Sequence, residues 1–203
     1  STTQKYSWGE NHNAPLMLVS DYGLKYNILR ILRSKGFRVM AVPSSTTYKE
    51  IAEMKPHGII LSPGPGDPAL LNSQTDTVKH LLGEIPMMGI CLGHQIIARA
   101  FGAETFKLKF GHRGGNHPVK DESTDRVYIT SQNHGYAVDF KNLPSDLIVS
   151  HTNLNDGTIE GIEHKDLPIM SIQYHSEASP GPLDNIYLFD KFISKVENYW
   201  NDR

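Results

Sequence analysis

The sequence predicts an α/β fold, in which a mainly parallel central sheet carries helices on both faces and so forms three layers. Short apolar runs alternate with amphipathic segments through the first half of the chain, a pattern typical of right-handed strand–helix–strand units. Several of these runs end at turns that contain glycine or proline. With 203 residues, 38% of them hydrophobic, the chain is long enough for one well-buried core and rather short for two.

The first half of the chain contains four predicted strands that alternate with four predicted helices. The strands are continuous apolar runs, as expected when both faces of a parallel sheet are covered. Their predicted ranges are Pro15–Asp21, Phe37–Val42, Gly58–Ser62 and Pro86–Ile90. The helices are predicted at Asn27–Lys35, Glu50–Lys55, Thr75–Leu82 and Leu92–Phe101.

From Thr105 onward the predicted strands are shorter and alternate polar with apolar residues, so we expect the sheet to gain antiparallel members. Asp184–Trp200 is predicted to be a closing amphipathic helix, because its apolar residues recur at helical spacing. The predicted strands of this half are Arg126–Thr130, Leu147–His151, Gly161–His164 and, as the last buried strand, Leu167–Gln173.

The start of the domain is predicted from composition. Ser1–Asn13 is polar, aperiodic and without an initiating methionine. We therefore expect residues 1–13 to be a linker or the cut edge of a longer polypeptide. The domain itself is expected to span residues 14–203.

Charge and composition exclude several classes of partner. Twenty basic and 22 acidic residues give a formal charge of -2, so no basic surface for nucleic acid or an anionic membrane is expected. The longest apolar stretches fall far short of the ~20 residues that a membrane helix needs. One cysteine cannot form an internal disulfide and no leader segment opens the chain, so a reducing cytoplasm is expected.

The single cysteine, Cys91, lies at the predicted junction of a strand and a helix, within Gly89–Gln95. Glycines two positions before and after it relieve the crowding of a sharp turn, as they do around the serine of a nucleophile elbow. The start of a helix favours thiolate, although a free thiol with a pKa of ~8.5 still needs a base. We predict that Cys91 is a nucleophile; a buried structural cysteine is the alternative.

A candidate base follows the last apolar strand. His175 and Glu177 are two residues apart, so in an extended segment their side chains project to the same side. Glu177 can then fix the tautomer of His175 while His175 removes the thiol proton of Cys91. Parallel strands end at one edge of a sheet, so the two segments need not be adjacent in sequence.

The segment Ser62–Pro68 is a glycine- and proline-rich loop directly after an apolar strand. Glycine lets backbone N–H groups approach a ligand and proline stiffens the loop, so it can donate to a developing oxyanion. A plain turn is the alternative. The glycine spacing of a dinucleotide-binding loop is absent.

Two further segments are less decisive. Gly111–His117 contains two histidines but no thiolate or paired carboxylate, so we predict a surface loop and no metal site. Ser131–Tyr136 lies between two strand-like runs, and its amides and aromatic ring can clasp a polar substrate. A generic turn explains this second segment nearly as well.

The order of these features resembles that of class I, triad-type glutamine amidotransferases. The resemblance covers about Leu16 to Phe192 and implies the flavodoxin-like, sheet-centred fold of that family. Within it, three segments are similar to the small, glutaminase subunit of carbamoyl phosphate synthetase, namely Phe110–Val119, Ser131–Val138 and Glu177–Pro182.

The resemblance implies a reaction and a set of site residues. Cys91 attacks the side-chain amide of glutamine, His175 shuttles protons and Glu177 orients His175. The backbone N–H groups of Leu92 and Gly64 form the oxyanion hole. Further positions that hold glutamine in relatives are matched by Gly66, Gln95, Asn133, Gly135 and Tyr136.

By the same resemblance, the ammonia passes to a large synthetase subunit, which uses ATP to make carbamoyl phosphate for arginine or pyrimidine synthesis. No cofactor is expected in this domain. Two alternatives are an amidotransferase subunit of anthranilate or aminodeoxychorismate synthesis and a regulatory homologue that has lost catalysis.

Three features depart from the pattern of the carbamoyl phosphate synthetase small subunit. That subunit carries a further N-terminal domain that contributes to the glutamine site, whereas only Ser1–Asn13 precede the core here. Pro63 stands where asparagine is common. Ser176 replaces the proline usual between His175 and Glu177, so we expect a looser backbone between base and carboxylate.

Overall fold

A single mixed sheet forms the centre of the computed structural model, which describes residues 1–9, 13–177 and 185–203. Among these residues ten strands are joined in the order β1-β3-β2-β4-β5-β10-β9-β8-β6-β7. The strands are β1 Tyr6–Trp8, β2 Leu16–Asp21, β3 Arg38–Pro43, β4 Gly58–Leu61, β5 Met87–Ile90, β6 Thr105–Asp121, β7 Val127–Val138, β8 Leu147–Asn153, β9 Ile159–His164 and β10 Ile169–Ile172. The helices are α1 Tyr26–Ser34, α2 Tyr48–Glu53, α3 Asn72–Leu81, α4 Leu92–Ala100 and α5 Tyr187–Asn201.

The parallel part of the sheet consists of β3, β2, β4, β5 and β10. Side chains alternate between its two faces. Leu16 and Leu18 of β2 pack with α2, α3 and α4, whereas Met17 and Val19 pack with α1 and α5. The predicted three-layer α/β fold is therefore confirmed.

β5 and β10 are adjacent and parallel, with Ile90 opposite Ile172. The backbone N–H of Cys91 continues this pairing by donating to the carbonyl oxygen of Ile172 at 2.8 Å. The segments that follow the two strands therefore leave the sheet at the same edge, where open α/β folds place their sites.

The antiparallel part of the sheet contains two corrections to the sequence-based prediction. Gly111–His117, predicted as a surface loop, lies within β6, and Ser131–Tyr136 is part of β7 rather than a turn. The pairing of β6 with β7 shifts register near Gly111 and Gly114, both of which have positive φ. The glycines therefore accommodate bulges in a long strand instead of ending it.

The expected linker before Ala14 contains a strand. β1 pairs antiparallel with β3, with Tyr6 opposite Ala41. The ring of Trp8 stacks on Tyr26 with 5.5 Å between centroids. Three residues are too few for a periodic pattern to be recognised, which is why this strand was not predicted. That residues 1–13 also link to a further domain stays a prediction.

None of the helices in the described ranges combines the length and the apolar composition needed to cross a membrane. The last helix begins at Tyr187, whereas the prediction started it at Asp184, which lies outside the described residues. Of the predicted motif Glu177–Pro182, the structure describes Glu177 alone.

Candidate active site

Cys91 occupies a sharp turn between β5 and α4. It caps α4 with a φ of 54°, a conformation that is costly for a residue with a side chain. The flanking glycines are required by close approach: a Cβ at Gly89 would lie 2.6 Å from the backbone of Gly93, and one at Gly93 would lie 2.2 Å from the carbonyl oxygen of Leu61. The local geometry is thus the elbow that the sequence predicted.

The sequence predicts that the helix start favours thiolate at Cys91 but that a base is still needed, and burial adds to that need. Burial, followed by the charge of Glu177, raises the pKa of the Cys91 thiol to about 12, against the smaller opposing effect of the Leu92 N–H. The thiol is therefore protonated at neutral pH. A base must remove its proton during the reaction.

The candidate base and its carboxylate partner lie together after β10. His175 Nδ1 is 2.8 Å from Glu177 Oε1, and Glu177 is fully buried. Burial raises the pKa of Glu177, but the hydrogen bond from His175 and the charge of Lys25 outweigh it and lower the pKa overall. Because an ionised carboxylate can only accept, Nδ1 carries the imidazole proton and Nε2 is free to take another.

Two residues of the β2–α1 region hold this carboxylate segment, and neither was predicted. Lys25 Nζ lies 3.0 Å from Glu177 Oε1, and the side-chain amide of Asn27 donates to the backbone carbonyl of Glu177. Both residues follow the carboxyl end of β2. The rule that sites form at this edge of a parallel sheet is the signal that would have identified them.

The glycine–proline loop after β4 packs against the elbow. A Cβ at Gly64 would lie 2.6 Å from the carbonyl oxygen of Tyr22 and 2.9 Å from Leu92 Cδ2. Only glycine permits this approach of the two backbones. Gly64 therefore lies against the Tyr22 backbone and the Leu92 side chain. That the Gly64 and Leu92 N–H groups form an oxyanion hole stays a prediction.

A cavity of about 330 Å³ opens beside Cys91. It brings together the nucleophile and six of the residues predicted to hold substrate, namely Gly64, Gly66, Gln95, Asn133, Gly135 and Tyr136. Further lining residues, which the sequence-based prediction missed, are Pro65, Asp67, Lys107, Arg113 and His134. The cavity therefore contains charged groups of both signs.

Gln95 is held in a defined orientation within this cavity. Its Nε2 donates to the carbonyl oxygen of Tyr136 at 2.8 Å and to Gln173 Oε1 at 2.9 Å. These two bonds use both amide hydrogens, so the remaining polar atom, Oε1, can only accept. Gln173 is fully buried. It does not line the cavity but fixes the side chain of Gln95, which does.

The sequence matches the family described as "Glutamine amidotransferase class-I" over residues 18–195. The chain belongs to this family. The predicted resemblance is therefore confirmed, and the elbow, the histidine–carboxylate pair and the cavity lie within the matched range of the amidotransferase.

Curated relatives of the amidotransferase carry the name carbamoyl phosphate synthase small chain. The protein of Akkermansia muciniphila is 59% identical over 176 residues, which are 87% of this chain and 47% of the relative. That of Methanocaldococcus jannaschii is 55% identical over 183 residues, covering 90% and 51%. The amidotransferase chain thus spans about half the length of these relatives.

Two solved structures share the fold of the amidotransferase. A putative GMP synthase component from Thermoplasma acidophilum superposes with a TM-score of 0.81 at 24% identity, covering 94% of this chain and 98% of that one. A glutamine amidotransferase from Thermotoga maritima gives a TM-score of 0.66 at 17% identity, with coverage of 94% and 86%. At these identities the likeness concerns the fold alone.

Ser176 is the departure closest to the chemistry of the amidotransferase. Its side chain is fully buried, and its Oγ has no hydrogen-bond partner among the residues that the structure describes. His175 and Glu177 nevertheless remain in contact at 2.8 Å. The replacement of proline by serine therefore leaves the hydrogen bond between base and carboxylate intact.

Proposed function

We propose that this domain hydrolyses glutamine to glutamate and ammonia through a thioester on Cys91. The observation that carries the proposal is the meeting of two features at one sheet edge. Cys91 borders a cavity at the end of β5, and the His175–Glu177 pair follows the neighbouring parallel strand, β10.

The reaction divides into two steps with balanced proton transfers. His175 Nε2 accepts the thiol proton while the sulfur of Cys91 attacks the side-chain amide carbon. The C–N bond then breaks, the leaving nitrogen takes the proton from His175, and ammonia departs. Water, deprotonated by His175, next attacks the thioester carbon. The C–S bond breaks, glutamate departs, and the sulfur of Cys91 takes the proton back from His175. In both steps the Leu92 and Gly64 N–H groups stabilise the oxyanion, a contribution of ~10²–10³ in rate per donor.

The cavity suits a zwitterionic amino acid. The cationic side chains of Lys107 and Arg113 and the carboxylate of Asp67 line the same space, so opposite charges are available for an α-carboxylate and an α-ammonium group. Gln95 Oε1, fixed as an acceptor, adds a position for the ammonium group. Asn133, Gly135 and Tyr136 close the cavity from β7.

At the level of the whole protein, we propose that the ammonia is delivered to a large synthetase subunit for carbamoyl phosphate synthesis. The name shared by the curated relatives supports this assignment. ATP is then used by the partner, and this domain needs no cofactor of its own. We also propose that the protein is located in the cytoplasm.

The substitution Cys91→Ser tests both levels in the assembled complex. Glutamine-dependent carbamoyl phosphate formation is expected to disappear, while formation from ammonium salts persists at the wild-type rate. Glutaminase activity that survives the substitution would contradict the thioester mechanism. If the intact complex lost ammonium-dependent as well as glutamine-dependent formation, the role assigned to the partner would be contradicted.

Labelling with a glutamine-like chloroketone separates an enzyme from a silent homologue. The expected result is one adduct on Cys91, found by mass spectrometry and prevented by excess glutamine. An unmodified Cys91 would favour a regulatory protein. Co-purification with an anthranilate or aminodeoxychorismate synthase subunit would instead move the assignment to another pathway.

A further inference from the structure

A second polar cluster adjoins the substrate cavity and shares the lining residue His134 with it. His112 of β6, His134 of β7 and Glu160 of β9 each place a side-chain nitrogen or oxygen within 4.8 Å of the others, and all three are buried. The prediction against a metal site concerned His112 and His117 and depended on the absence of a thiolate or paired carboxylate beside them. The fold supplies a carboxylate in Glu160, and Asp156 provides a second.

His112 presents an unused lone pair to this cluster. Its Nε2 lies 2.9 Å from Asp156 Oδ2, and because a carboxylate only accepts, Nε2 carries the proton. Its Nδ1 is buried without a hydrogen-bond partner among the described residues, 3.5 Å from Glu160 Oε1. A carboxylate on the far nitrogen is the usual support of a metal-ligating histidine.

His134 lacks a proton for one of its contacts. Nδ1 faces the carbonyl oxygen of Tyr136 and Nε2 faces Gln132 Oε1, each at 2.8 Å, yet a neutral imidazole has one N–H. The amide of Gln132 cannot be reversed, because its Nε2 donates to Glu160 at 2.9 Å. A cation at one nitrogen replaces the missing proton.

The cluster is also short of positive charge. Glu160 and Asp156 bring two carboxylates, and within the described ranges no lysine or arginine forms an ion pair with either. The other groups that face Glu160 are the neutral amides of Gln132 and Asn153. A proton on His112, between Asp156 and Glu160, is the competitor for this position.

We propose that His112, His134 and Glu160 bind a divalent transition-metal ion, for which Zn²⁺ is the best match, with Asp156 positioning His112. Two imidazoles and a carboxylate are a donor set that Zn²⁺ takes, whereas Mg²⁺ and Ca²⁺ prefer oxygen ligands. Tetrahedral ligands at ~2.1 Å lie about 3.4 Å apart, so the three side chains draw closer on binding. The register shifts in β6 on both sides of His112 provide the freedom to do so.

The site is tested by calorimetric titration of zinc chloride into the protein carrying Cys91→Ser, which removes the thiol as a competing ligand. One ion per chain is expected. Binding is expected to disappear when His112→Asn is added and to weaken ~10- to 100-fold when Asp156→Asn is added instead. His80→Asn, at an exposed histidine of α3, is the matched control and is expected to leave binding unchanged.

Three results would overturn the proposal. In the first, Cys91→Ser binds no zinc. In the second, adding His112→Asn leaves zinc binding undiminished. In the third, zinc binds the protein that retains Cys91 but not the Cys91→Ser variant. If magnesium chloride produced the same heat, the preference for a transition metal inferred from the two imidazoles would also be contradicted. Should His112→Asn fail to fold, Asp156→Asn decides the matter, since it leaves all three ligands in place and an unchanged affinity would count against the site.

Discussion

The parallel and antiparallel parts of the sheet make different contributions to the site. β4, β5 and β10 are buried at every residue, and their ends position the loop that contains Gly64, Cys91 and the His175–Glu177 pair. β6 is exposed or half-buried over most of its length, β7 mixes buried with exposed residues, and Phe110 is 80% exposed. They supply the walls of the cavity. The reactive groups thus depend on core pairing, and the substrate contacts depend on a hairpin open to solvent.

The largest effect is expected in the parallel part, from Glu177→Gln. The amide removes the negative charge that holds the His175 tautomer and leaves Lys25 without its partner. We expect kcat for glutamine hydrolysis to fall about 10³- to 10⁴-fold with little change in KM. Steady-state glutaminase kinetics measure this, with Glu163→Gln as a control distant from Cys91. A loss smaller than about tenfold would show that the pairing is not catalytic.

A pair of glycine substitutions compares the two parts directly. Gly93→Ala places a methyl group 2.2 Å from the Leu61 carbonyl oxygen, whereas Gly115→Ala in β6 meets nothing within 4 Å. We expect Gly93→Ala to lower the free energy of unfolding by about 1–3 kcal/mol or more. Gly115→Ala is expected to change it by about 0.5 kcal/mol at most. Urea unfolding gives both values, and equal losses would contradict the comparison.

Gln173→Ala tests a group at the boundary between the two parts. It removes the acceptor that fixes the amide of Gln95, so Gln95 can rotate away from the substrate. A lost hydrogen bond of ~1–1.5 kcal/mol corresponds to about a tenfold rise in KM for glutamine, with kcat nearly retained. Gln74→Ala on α3 is the control, a half-buried glutamine that does not line the cavity. A selective fall in kcat would instead assign Gln173 to the chemical step.

The smallest effect is expected from Lys25→Met and depends on pH. The pKa of Glu177 is lowered in the folded protein, so its contribution to stability is complete above the ordinary value of 4.5 and is lost as the pH falls through the folded value. Without Lys25 the folded pKa rises and this loss begins at higher pH. Lys25 is one-third exposed, so the unfolding free energies of Lys25→Met and the wild-type protein are expected to differ by about 1 kcal/mol or less.

Unfolding free energies from about pH 6 down to about pH 3 measure this difference. The exposed Lys49→Met serves as the matched charge change and is expected to follow the wild-type profile. An identical profile for Lys25→Met would show that the ion pair with Glu177 does not affect the carboxylate.

The parallel part was predicted from the sequence because its signals are local. Apolar runs, glycines around Cys91 and the spacing of His175 and Glu177 each lie within a few residues. The triad residues were therefore named before the fold was known. Their catalytic roles stay predictions until Cys91→Ser and Glu177→Gln are measured.

The antiparallel part and the supporting contacts were missed because they depend on long-range pairing. The glycines of Gly111–His117 indicate a loop equally well as bulges in a strand. Lys25 meets Glu177, and Glu160 meets His112, only after distant strands are joined. Such contacts have no local pattern, so the sequence alone could not have placed these charges together.

The stacking of Trp8 on Tyr26 has a practical consequence. Tyr26 is the first residue of α1 and follows Lys25, which pairs with the Glu177 carboxylate, so one of the two indoles sits beside the start of this helix. The other, Trp200, donates to the carbonyl oxygen of His57, just before β4. With Trp200→Phe, the fluorescence of Trp8 as the single tryptophan follows events at the start of α1 without an added dye.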